Sequence, residues 1–140
     1  MERETWRGGK ILGLLLGTTA AGTEIFWALF FAGKLQATET PQDNAFERAF
    51  PIADTWMSCC CLLAAREIPR RSPRGYFFGI AAGSTLIFLA LMDILYSVEN
   101  SKYLPMDGDR AVMAIINAWT LSLGAGTLSY LWRQRGRFIQ

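Results

Sequence analysis

Three carboxylates, Glu24, Asp54 and Asp93, stand inside otherwise apolar stretches of this chain, and a fourth apolar stretch carries the amide Asn117. An ionisable side chain in hydrocarbon costs about 2.5–3.5 kcal/mol on insertion scales, so it turns towards a bundle interior or a wet cavity. Burial and mutual repulsion favour the protonated form of a carboxyl. Glu24, Asp54 and Asp93 are therefore the candidate proton donor and acceptor group. Asn117, Tyr96, Trp27, Trp56, Trp119 and Glu99 are the candidate ligand contacts around it. Aromatic rings beside a polar site suit a flat apolar ligand or a cation held over a ring face. Such residues can instead serve only as hydrogen-bond glue between helices, and the sequence leaves both readings open.

The elements that must position these groups are four apolar segments, at about 11–33, 50–65, 76–96 and 110–132. The first is too long for the apolar core of a signal peptide and reads as a span. The second is short, and upstream of it Thr40, Pro41 and Asp43 read as an N-cap, a first-turn proline and a capping carboxylate. A short interfacial helix over about 41–49 follows, with Phe46 and Phe50 on one face. Asp107 or Asp109 can cap the fourth span. The fold class expected is all-α: a four-transmembrane-helix bundle with a short interfacial helix between helices 1 and 2, in a single domain over residues 1–140.

Basic residues orient it. Arg3, Arg7 and Lys10, then Arg66, Arg70, Arg71 and Arg74, then Arg133, Arg135 and Arg137 all fall on one side. The positive-inside rule makes that side cytoplasmic and places the chain in the plasma (inner) membrane with both termini inside. Counted at 1.5 Å per residue, Glu24 and Asn117 lie roughly 20 Å from that boundary, and Asp54 and Asp93 about 25 Å. Helices of opposite direction thus bring their polar groups to similar heights, in the outer half. Each polar group also lies on a stripe of small residues, such as Gly13, Gly17 and Ala20 below Glu24, or Gly79, Gly83 and Ala90 below Asp93. Small residues let helices approach closely in lipid. The expected arrangement is tight packing towards the cytoplasm and an acid-lined pocket towards the outside.

Several classes are excluded or disfavoured. A net charge of +2, with basic residues confined to segment ends, points to no nucleic-acid partner. The chain has no histidine, and its three cysteines are consecutive, at Cys59, Cys60 and Cys61. Successive helical positions point about 100° apart, so these thiols are packing residues rather than a disulfide or a metal set. No metal and no cofactor are expected.

The stretches AFPIADTW, MDILYSVENSKY and INAWTLSLG carry a likeness. The chain resembles small four-helix bacterial integral membrane proteins with an acid after a proline in the second span and D-x-x-Y near the end of the third. Its layout is also similar to the EXPERA group of sterol isomerases and the sigma-2 receptor. That likeness is one of architecture, and the histidine those isomerases use is missing here. Small multidrug transporters share the four helices and a glutamate in the first.

The reading that follows is a pocket in the outer half of the bilayer that binds or processes a small lipidic molecule, sterol- or isoprenoid-like, with proton transfer between carboxylates as the accessible chemistry. The expected partners are the lipid bilayer and a small lipidic or cationic ligand. Two alternatives stand beside it: an oligomeric proton- or cation-coupled transporter, for which a homo-oligomer would be required, and an accessory subunit of a larger membrane complex.

Overall fold

Proline and capping residues set the helix starts. In the computed structural model, which describes residues 2–35 and 39–139, the chain forms α1 (Glu2–Phe31), α2 (Pro41–Glu47), α3 (Pro51–Glu67), α4 (Pro73–Glu99) and α5 (Gly108–Gln134). A 3₁₀ turn at Arg135–Arg137 follows. Helix accounts for 82% of the described residues, and no strand occurs among them, so the all-α class holds.

The helices overrun the apolar segments because a helix does not stop where hydrocarbon does. What stops α1 is Gly33, at φ +67°, where the amides of Gly33 and Lys34 fold back onto the carbonyls of Phe30 and Leu29. Thr40 and Asp43 form a complete capping box, each side chain taking the other's backbone N–H at 3.1 and 3.0 Å. Pro51 opens α3, Ser72 caps α4, and Asp107 rather than Asp109 caps α5.

The helices pack in a row. α3 lies against both α1 and α4, and α4 lies against α5, whereas α1 and α5 meet only lightly. Three helices, α1, α4 and α5, are long and apolar enough to cross a membrane. The fourth expected span, α3, falls outside that set at 17 residues. Its position accounts for the composition: a helix shielded on two sides can carry Asp54, Ser58 and three cysteines.

Close approach is built from small residues. A Cβ on Gly13 would fall 2.8 Å from the Ala65 carbonyl oxygen of α3. Gly83 of α4 and Gly124 of α5 press backbone to backbone, each leaving about 3 Å between a would-be Cβ and the other's carbonyl oxygen. Leu16, Leu86, Leu131, Cys60 and Cys61 fill the buried core between these contacts. Cys61 donates to the Met57 sulfur at 3.5 Å, and Cys59 is exposed. The two buried thiols, Cys60 and Cys61, serve packing.

Candidate functional site

The acidic end of the bundle is assembled from five helices and one loop. Glu24 lies seven residues beyond Gly17 and eleven beyond Gly13, on the stripe that faces α3. Asp54, in the first turn of α3, is half-buried and accepts a hydrogen bond from Trp27 Nε1 at 2.9 Å. Trp27 is itself 5% exposed, so this bond crosses from α1 to α3 inside the protein. Asp93 on α4 is half-buried, with the buried Asn117 of α5 as its hydrogen-bond partner. Asn117 also donates to the Tyr103 hydroxyl at 2.8 Å. Asp54 is within electrostatic reach of both Asp93 and Glu24. The three sequence-predicted acids and the amide thus share one region.

A fourth acid joins them. Glu47, at the last turn of α2, is half-buried and close enough to Asp93, Asp54 and Asp43 for their charges to act on it. Burial first, and those three carboxylates next, push its carboxyl from an ordinary 4.5 up to about 7. Glu47 is not among the acids expected from the sequence. The signal that finds it is its i+4 relation to the buried Asp43, which sets both on one face of α2.

Asp43 has a different part. One oxygen accepts from Tyr96 Oη at 2.7 Å, and the other accepts from Lys102 Nζ at 2.7 Å and from the Thr40 amide at 3.0 Å. Burial disfavours its charge, but these donors overrule it and hold the carboxyl well below the ordinary carboxylate range. Lys102 is held charged in turn, chiefly by its bond to Asp43, and also lies 3.6 Å from Glu39. The Phe46 ring stacks on Tyr96 with centroids 3.7 Å apart and planes within 8°. Phe50 meets Phe46 edge-on at 4.8 Å. Together these contacts staple α2 and the loop after α4 across the acidic end. Tyr96, expected as a ligand contact, belongs to this staple.

The remaining candidates divide. Trp119 donates to Thr19 Oγ1 at 3.1 Å, bridging α5 to α1 where the two helices otherwise barely touch. Trp56 is 57% exposed. It lies two residues from Asp54, about 200° around the helix, and so faces away from the acids. Glu99 is exposed at the end of α4. Neither is brought into the cluster.

The charge balance is one-sided. Among the described residues, Glu39, Glu67, Asp43 and Asp107 take part in ion pairs, and none reaches Glu24, Glu47, Asp54 or Asp93. The loop cation Lys102 is already committed to Asp43. One turn beyond Asp54, the buried Ser58 hydroxyl has no hydrogen-bond partner. No group of histidine, cysteine and acidic residues poised to hold a metal ion occurs among the described residues. The arrangement can share protons among its carboxyls or receive a cation.

Comparison of the chain with protein-family models, with curated proteins and with solved structures finds no match.

Proposed function

We propose that this protein is a four-helix integral membrane protein with both termini in the cytoplasm, whose outer-half acidic cluster binds a small lipidic molecule by a cationic or proton-accepting polar end. The membrane part is supported by the outward surfaces of the long helices. Leu14, Ile25, Phe77, Phe88, Leu91, Ile115 and Ile116 are exposed there, an apolar area far beyond what water tolerates. At about 25 Å, α3 just reaches across a bilayer, and the aromatic α2 lies at its outer end.

The observation that carries the functional part is the grouping of Glu47, Asp54 and Asp93, with Glu24 in electrostatic reach of Asp54, without an ion-pair partner among the described residues and beside the buried Trp27 indole. A basic group entering that cluster would gain partners that the protein does not supply. A proton could then pass between a protonated carboxyl and its neighbour, which is the simplest processing chemistry open to the site. Thermal unfolding with lipophilic amines and with neutral alcohols of equal chain length tests the reading. Amines should raise the midpoint selectively in wild type and not in Asp93→Asn; equal shifts for amine and alcohol, or in both proteins, would sink it.

A second reading is favoured by one specific feature, the light α1–α5 contact, which leaves the four-helix row open along one edge. In an oligomer the exposed Glu24 would couple proton or cation movement to transport. Flux into proteoliposomes that is unchanged by Glu24→Gln would remove that reading.

A further inference from the structure

The helix faces that close the bundle towards its basic end come apart towards its acidic end. On α5, Leu123 and Thr127 are buried, and Ile116 lies seven and eleven residues before them, about two and three helical turns away on the same face. Ile116 is nevertheless 57% exposed. On α1, Leu16 and Ala20 are buried, whereas Glu24, one turn further on, is exposed. The two helices are joined where the Tyr130 ring lies against Gly8 and Gly9, and again where Trp119 reaches Thr19. Ile116 and Glu24 both lie on the acidic side of that second tie. A cleft between α1 and α5 therefore opens there, and it leads sideways out of the bundle.

The residues on the page say what such a cleft receives. Thr23, one turn outward from Thr19, and Thr120, one turn inward from Ile116, return their hydroxyls to carbonyls of their own helices and need no polar partner. Its walls are thus suited to hydrocarbon. Behind it lie Glu47, Asp54 and Asp93, without an ion pair among the described residues. A second polar group there is unmet. Thr18, Thr23, Thr85, Thr120 and Thr127 each donate to the carbonyl four residues back, but Ser58, one turn from Asp54 on the same side of α3, is buried with its hydroxyl unbonded.

We propose that the cleft seats the single hydrocarbon chain of an amphipathic amine, which enters sideways from the outer leaflet and presents its ammonium to Asp54 and Asp93. Charge complementarity fixes the head, since carboxylates lacking a cation and an unbonded hydroxyl accept the N–H donors of an ammonium. The apolar walls of α1 and α5 fix the tail, with the Trp119–Thr19 bond as the floor beneath it. This inference rests on the acidic cluster as a cation-receiving site and adds the class of ligand and its route.

Thermal unfolding of the full chain in detergent, titrated with dodecylamine and with butylamine, tests it. Ile116→Trp fills the cleft from α5 and should raise the dodecylamine concentration needed for half-maximal stabilisation roughly tenfold, while leaving the butylamine response as in wild type. Thr23→Phe, which narrows the cleft from α1, should act alike. Ile115→Trp places the same bulk on the neighbouring outward position, 67% exposed, and should change neither response. If the two cleft variants match Ile115→Trp with dodecylamine, or lose both amines equally, the cleft is not the seat of the tail. Asp93→Asn separates the two levels of the reading. Amine stabilisation that needs Asp93 but ignores the cleft variants sinks the cleft alone; wild type gaining nothing from either amine sinks the acidic site, and the cleft with it.

Discussion

The two ends of this bundle solve opposite problems. At the basic end, backbones touch through Gly13, Gly83 and Gly124, and the arginines largely engage carbonyls, an acid and a ring. At the acidic end, Glu47, Asp54 and Asp93 lie within electrostatic reach of one another, with the exposed Glu24 near Asp54 and no ion pair to any of them among the described residues, and a separate staple of Asp43, Lys102, Tyr96 and Phe46 holds the surrounding chain in place. One end spends its interactions on packing, and the other keeps charge unsatisfied. Such residual mismatch is how a binding site differs from a core, because the partner missing from the fold is left to a ligand.

That contrast is sharpest at Lys102. Replacing it with Met leaves the Asp43 carboxylate buried without its cation, and should cost about 2–4 kcal/mol. Thermal unfolding in detergent, with hydrogen exchange on α2, would show the loss concentrated at the acidic end; an unchanged midpoint would mean that the staple does not hold α2. At the other end, Gly124→Val drives a branched side chain into Ile87 and the Gly83 carbonyl. It should cost about 1–3 kcal/mol, and cysteine crosslinking between α4 and α5 should report their separation.

The acidic cluster should respond in the opposite direction. Because the folded protein holds the Glu47 carboxyl near 7 against an ordinary 4.5, it binds more protons than the unfolded chain between those values. Stability contributed there is complete below about pH 4.5 and lost as pH rises towards 7. Midpoints measured from pH 5 to 8 should fall, and the fall should shrink in Glu47→Gln. A slope identical in the two proteins would separate Glu47 from the cluster. Asp54→Asn relieves repulsion while keeping an acceptor for Trp27, and should leave stability level or raise it by up to about 1 kcal/mol. The smallest effect belongs to Trp119→Phe, which removes one half-exposed bond to Thr19 and should cost about 0.5–1 kcal/mol, read from the same unfolding curves.

Periodicity and chain punctuation carry much of this protein by themselves. Apolar length marks α1, α4 and α5, and the run Thr40-Pro41-Gln42-Asp43 specifies a helix start whose capping bonds are local, spanning three residues. The small-residue stripes below Glu24 and Asp93 are likewise legible, since residues three and four apart must share a helix face. Depth counting gives Glu24, Asp54, Asp93 and Asn117 similar expected heights for the same reason: rise per residue is fixed by the backbone.

What tertiary structure decided is who meets whom around the helix axes. Asp43 reads locally as a cap, yet its second partnership, with Tyr96 and Lys102, joins residues more than fifty positions apart. Glu47 enters the cluster only because that staple pins α2 over it, and Trp56 leaves it because α3 turns its other face inward. Height follows from a backbone repeat that every helix shares. Rotation follows from side chains packing against neighbours, and those neighbours are far away in the chain.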